Sequence, residues 1–344
     1  MKIIKKINFL IFLLCFIIII ELINLIRLII KKGKFIIEVD ISGNEGERGP
    51  SKFIRGLKDI LPYNNGNCSF ISSDHINPSK RSDKSDFFFI PYSRFSKSEY
   101  NKWITHKKAS KLILGPIFVP ILWNFFPNKE IWYERDFSKI IRTVKGIGVH
   151  SNRVRNYLSQ RSNTIDMIKK FIIIRPCTNI MPTNIKSFNE REIDILFFEK
   201  YADMNHSLQA IELLELFQNS SKKIEKIIYG NYTKNIMEKL ANNSKFIIYF
   251  SFFDTGAIAL KEIQNYGVFA FTHQKEFVID KRTSFWIPEL AEYNSLNIAY
   301  KSISRIIEKI TQLYPNSQLI ARINQEFNNC QNALDDLCEN LLKT

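Results

Sequence analysis

The chain has 344 residues, room for about two domains, and a composition of 45% hydrophobic and 13% aromatic residues excludes both a disordered chain and a miniprotein that depends on staples. Its formal charge is +15, of which +6 falls in the first 34 residues, where Lys2, Lys5, Lys6, Arg27, Lys31, Lys32 and Lys34 stand against one acid, Glu21. The rest of the charge suits an acidic ligand such as a nucleotide diphosphate, or a phospholipid surface. No basic stripe interleaved with aromatics accompanies it, so nucleic acid is not an expected partner.

Residues 9–26 read FLIFLLCFIIIIELINLI. At a rise of about 1.5 Å per residue they reach roughly 27 Å, close to a bilayer core. Glu21 and Asn24 weaken the second half, where a carboxylate near the end of a span costs less than one at its centre. No small-residue cleavage site follows, so the segment reads as an uncleaved, single-pass N-terminal anchor, with residues 1–34 as anchor and flanks and the membrane as a partner. The alternative is an amphipathic helix lying in the interface. Lysines on both sides leave the orientation open; in a eukaryote the arrangement would be type II in the ER or Golgi.

Beyond the anchor, apolar runs at Phe35–Ile41, Asp86–Tyr92, Lys111–Leu114, Gly146–His150 and Phe171–Ile174 alternate with helical patterns, and a second series follows at Ile193–Phe198, Lys226–Tyr229, Phe246–Phe250 and Val268–Phe271. Continuous apolar strands between helices predict parallel sheets covered on both faces, hence an α/β fold of two Rossmann-like, doubly wound domains. Residues 35–174 form the first domain and 193–290 the second. The polar, proline-bearing stretch 175–192 is the linker and 291–344 a C-terminal helical region. After the first strand, Gly43, Gly46 and Gly49 precede a helix expected near Pro50 or Ser51. They read either as a tight strand-to-helix turn or as an acceptor or phosphate loop lining a cleft. Cys15, Cys68, Cys177, Cys330 and Cys338 contain no Cys-x-x-Cys pair and read as apolar thiols, with a Cys330–Cys338 bridge conceivable. No metal site is expected, and His75, His106 and His150 receive no catalytic role.

The most informative stretch is KFIIYFSFFDTGAIALKEIQNYGVFAF, residues 245–271. A buried strand leads to a loop with Asp254, Thr255 and Gly256, and then to a helix carrying Glu262 about two turns in. The two acids are eight positions apart, too far for a surface i, i+4 pair, and both can face the carboxyl end of the sheet. Spacing alone also allows a capping Asp254 with a solvated Glu262. Five Asn-x-Ser/Thr sequons, at Asn67, Asn205, Asn219, Asn231 and Asn242, fit a lumenal domain but arise readily in an Asn-rich chain.

The stretch from Asp254 to Glu262, with the Gly267–Val268 turn after it, resembles the acid-x7-acid signature of retaining GT-B glycosyltransferases. In the same order as in that family come Leu114–Gly115–Pro116, the segment GVHSNR (Gly148–Arg153), DILFFEK (Asp194–Lys200) and the Tyr229–Gly230–Asn231–Tyr232 loop. The resemblance implies a hexosyltransferase using a nucleotide-sugar donor as substrate, with a glycan, protein or lipid acceptor, no cofactor and no metal, in keeping with the absence of an Asp-x-Asp triplet. It implies that Asp254 and Glu262 are the catalytic acids, Asp254 at the donor sugar and Glu262 at the ribose hydroxyls. Lys200, with Arg153, would meet the diphosphate, while Tyr229, Gly230, Asn231, Thr255 and Gly256 line the donor. The first acid of the signature is commonly Glu. Asp254 is shorter, so a catalytically inactive, membrane-tethered nucleotide-sugar or glycan-binding protein is the alternative.

Overall fold

The computed structural model describes residues 35–42, 49–74, 77–93, 102–103, 105–118, 142–161, 169–178, 180–200, 204–251, 254 and 256–343. The expected anchor at 9–26, Gly43, Gly46, His75 and Thr255 lie outside these. Among the described residues no helix is long and apolar enough to cross a membrane.

The first unit opens with β1 (Phe35–Asp40), α1 (Gly49–Ile60), β2 (Tyr63–Asn64), β3 (Cys68–Ser73), β4 (Phe87–Ser93), β5 (Leu112–Phe118), β6 (Gly146–Val149), α2 (Asn152–Arg161) and β7 (Phe171–Ile173). Its sheet runs β2-β3-β1-β4-β5-β6-β7, and only the short β2 is antiparallel to its neighbour. Strand β3 escapes the sequence reading because CSFISS offers only Cys68 and Phe70 to the core, its other positions being three serines and the exposed Ile71. On β1 the alternation puts Ile37 and Val39 against the helix-covered core. Glu38 and Asp40 carry the opposite phase and pair with the buried Arg81 at 3.1 and 3.2 Å.

The second unit contains β8 (Ile193–Lys200), α3 (Met204–Gln218), β9 (Ile224–Ile228), α4 (Lys234–Asn243), β10 (Ser244–Ser251), α5 (Ile258–Gln264), β11 (Phe269–Thr272), β12 (Ser284–Trp286), α6 (Leu296–Gln312) and α7 (Ser317–Asn328). Its sheet, β12-β11-β10-β8-β9, is parallel throughout. The apolar runs are continuous because both faces are covered. Ile195, Phe197, Phe246, Ile248 and Phe250 meet α3 and α6, and Leu196, Phe198, Ile247 and Tyr249 meet α4 and α5. The three-residue β12 is too short to show a period in the sequence.

The connection between the units is not a loose linker. Cys177, Thr178 and Phe188 are buried, and Arg191 reaches inside to donate to the carbonyls of Ser244 and Tyr266 at 2.5 Å each. Burial brings the Arg191 guanidinium down to about 10.

The last helix, α8 (Cys330–Lys343), leaves the second unit and packs into the core of the first. Its stripe Cys330, Ala333, Leu334, Leu337, Cys338, Leu341 has the 3.6-residue period and meets Ile37, Phe53, Leu57 and Cys68. On its polar side Asp336 takes a two-pronged bond from Arg175 at 2.6 and 2.7 Å, and Asp335 accepts from Tyr63 and Asn65 at 3.0 and 2.9 Å. Two sequence expectations are corrected here. Cys338 is not bridged to Cys330, and Cys68 and Cys338 are not thiols: they form a disulfide across 270 positions, while Cys177 and Cys330 remain free and buried. The partners are remote in sequence, and only the return of α8 to β3 brings them together. Closing so long a loop restricts the unfolded chain, so the double variant Cys68→Ala/Cys338→Ala should lose about 2–5 kcal/mol of unfolding free energy. Urea denaturation reads this as a lower midpoint, which reduction of the wild-type chain should reproduce; equal midpoints would mean the bridge contributes nothing.

Candidate functional site

In the second sheet β8 leads to β9 on one side and the chain then crosses to β10 on the other, so the strand order reverses between β8 and β10. Ligands of open α/β sheets bind outside the carboxyl ends of the strands at such a point. Lys200 ends β8, and Asp254 lies just past the end of β10. The Lys200 ammonium meets Asp254 Oδ2 at 2.6 Å and lies 4.6 Å from the centre of the Tyr229 ring. The Tyr249 hydroxyl also donates to Oδ2, and the Gly256 amide donates to Oδ1 at 3.2 Å. Asp254 is 7% exposed. Burial alone would raise its pKa, but Lys200, Tyr249 and the Ala257 amide outweigh that and hold it at about 2. The same burial, and the Asp254 charge, push the Tyr249 hydroxyl well above its ordinary value. Tyr229 and Tyr232 pack around Phe198, whose ring centre also lies 5.1 Å from that of Tyr249 in a tilted arrangement. Gly230 turns the loop at φ +89° and Asn231 is exposed.

Between Asp254 and α5 the chain passes Gly256 and then Ala257, which adopts the left-handed φ of 46°. A side chain at Gly256 would come within 2.8 Å of the His150 ring, so glycine is required for the two units to touch there. His150, at the end of β6, is 6% exposed. Its Nδ1 lies 3.2 Å from the Ile174 carbonyl, and since a carbonyl only accepts, Nδ1 carries the proton. Burial lowers its pKa to about 4, so the ring is neutral at pH 7 and Nε2, on the Gly256 side, is an acceptor.

Helix α5 is buried at every position. Lys261 donates to Asn328 at 3.1 Å and Gln264 to Ser284 at 2.8 Å, while Asn324 and Asn328 reach back to the α5 carbonyls of Gln264 and Lys261. These bonds to α7 and β12 let so polar a helix lie inside the protein. Gly267 completes the fit: its φ is +78°, and a Cβ there would stand 2.2 Å from the Ser317 carbonyl oxygen. Glu262 is 0% exposed, which overturns the solvated reading of this acid. It sits little more than one turn into α5, since that helix begins only at Ile258. One of its oxygens, Oε2, is ion-paired with Lys52 of α1, and Oε1 has no hydrogen-bond partner among the described residues. Burial raises its pKa, and the Lys52 charge opposes the rise. Glu262 also lines a cavity of about 450 Å³ between the units, together with Lys52, Arg55, Lys234, Glu238 and Tyr266.

No family model matches the chain, and no curated protein sequence does. A solved structure that does match is a sucrose-phosphate synthase from Thermosynechococcus elongatus, with a TM-score of 0.53 and 10% identity over 88% of this chain and 97% of that one. The likeness is one of fold. The two α/β units with parallel sheets are consistent with a Rossmann-like GT-B fold.

The structure therefore brings Lys200, Asp254, Gly256 and Tyr229 together at the carboxyl end of the second sheet, and sets Glu262 apart from them, in a cavity that none of these four lines. It places Gly49 as the first residue of α1, and Arg153 on α2 is exposed. Three residues without an assigned role join the constellation. The sequence reading gives Tyr249 and His150 no role, and their one signal is a polar group in or beside an otherwise apolar strand. Lys52 carried no signal, because one lysine on an amphipathic helix looks like any other.

Proposed function

We propose that this chain is a membrane-anchored glycosyltransferase that moves a hexose from a nucleotide-sugar donor to a glycan, protein or lipid acceptor, with retention and without a divalent metal. The observation that carries the reading is Glu262: a fully buried carboxylate, half of it without a donor among the described residues, lining a cavity between the units on the helix that follows Asp254. A carboxylate oxygen left in that state is an acceptor for a hydroxyl, and a ribose offers two. Lys200 supplies positive charge for the diphosphate as it leaves, and the ionised Asp254 faces the developing charge on the sugar ring. The fold shared with a sucrose-phosphate synthase supports the same reading. Residues 9–26 supply the anchor, and the Cys68–Cys338 disulfide favours an oxidising compartment for the soluble part.

One observation favours the silent, sugar-nucleotide-binding alternative. Asp254 accepts from Lys200, Tyr249, Gly256 and Ala257, which uses the four acceptor positions of a carboxylate and leaves none for a sugar hydroxyl unless a partner moves. Titration calorimetry with a panel of uridine, guanosine and adenosine diphosphate sugars, followed by a turnover assay with the donor that binds, separates the two. Binding with release of the nucleotide diphosphate is expected. Binding without release would establish the silent protein, and no binding to any of the panel would overturn both.

A further inference from the structure

The ion pair between Lys52 and Glu262 joins the two units: Lys52 belongs to α1, packed on the first sheet, and Glu262 to α5, packed on the second. Both side chains are largely withdrawn from solvent, at 10% and 1% exposure. An uncompensated carboxylate at such a depth takes up a proton, and a protonated acid presents a donor where a hydroxyl needs an acceptor. The charged groups around Glu262 are Lys52, Arg55 and Asp59 on α1 and Lys234 and Glu238 on α4, with the Tyr266 hydroxyl close after α5. Lys234 pairs with Glu238 at 3.6 Å, and Arg55 and Asp59 are exposed. Among the described residues Lys52 is the cation in ion-pair contact with Glu262.

We propose that Lys52 is the positioning residue for Glu262: by taking Oε2 from across the interface it keeps the carboxylate charged and reserves Oε1 to accept a hydroxyl of the bound ligand. The inference rests on the reading of Glu262 as the ribose acceptor. It gives the first unit a part in recognising the nucleoside end of the donor, and it makes the aim of Glu262 depend on the two units being together.

The test uses the full chain in detergent, as wild type, Lys52→Met, Lys52→Arg and Glu262→Gln. The infrared carboxyl band that is lost in Glu262→Gln identifies Glu262 without any ligand. Its titration midpoint should rise by about one pH unit or more in Lys52→Met, the scale for removing an adjacent opposite charge, and return in Lys52→Arg. Uridine, guanosine and adenosine diphosphate are then each compared with the 2′,3′-dideoxy form. Wild type and Lys52→Arg should prefer the ribose form at least about tenfold, the scale of one charged hydrogen bond. Lys52→Met should lose that preference at pH 7 and regain it as the pH rises. A carboxyl midpoint unchanged in Lys52→Met overturns the inference whichever nucleotide binds. Failure of the wild type to bind any of the three diphosphates, with the midpoint shift present, overturns the donor reading instead, while the shift upholds Lys52 as the counter-ion.

Discussion

Glu262→Gln should weaken nucleoside diphosphate binding by about 1.5–3 kcal/mol, roughly 10- to 150-fold, the scale of hydrogen bonds to a charged group. Glutamine keeps the shape of the side chain and removes its charge, so the Oε1 position offers a weaker acceptor and the Lys52 ammonium loses its counter-ion. The pH dependence has a definite sign. Burial has raised the Glu262 pKa, so as the pH falls toward that value the wild-type carboxylate takes up a proton and affinity drops; Glu262→Gln has no proton to take and stays flat. Calorimetry at several pH values reads both effects. Leu260→Ala, also fully buried on α5, is the control for plain destabilisation, expected to cost about 2–5 kcal/mol of stability without selective loss of affinity. If Glu262→Gln remains folded and binds the diphosphate as tightly as wild type, Glu262 does not hold the nucleotide.

Asp254→Asn should do the opposite, lowering kcat by about 10²- to 10³-fold, the range for deleting one electrostatic stabiliser, while affinity for the nucleoside diphosphate changes little. The distinction follows from the partners. Lys200, freed from a charged Asp254 at 2.6 Å, remains available to the diphosphate, so ground-state binding survives. What is lost is a negative charge that a pKa near 2 keeps present throughout the neutral range. A residue that acts on the transition state moves kcat and leaves affinity alone. A parallel loss of affinity and turnover would instead mark Asp254 as a brace for Lys200, with no part at the sugar.

The sequence by itself determined the parallel sheets. Runs such as IDILFFEK and SKFIIYFS are apolar in both phases over their middle, and a strand with no polar face there has to be covered on two sides, which parallel strands with crossover helices accomplish. The acid pair at Asp254 and Glu262 was legible as well, because the strand before it and the glycines around it fix where in the α/β unit it falls. What surrounds those acids was decided only in three dimensions. Whether Glu262 is solvated or buried depends on α7 covering α5 through Asn324 and Asn328, and on α1 arriving from the other unit with Lys52, contacts 60 or more positions distant that leave no local period. His150 is likewise an ordinary strand-end histidine until Gly256 admits it to the interface. The Cys68–Cys338 bridge has the same origin. Helix α8 shows its apolar stripe plainly, but a stripe specifies that a face is buried and not against what, so the return of the last helix to the first sheet, and with it the pairing of the two sulfurs, belongs to the tertiary structure alone.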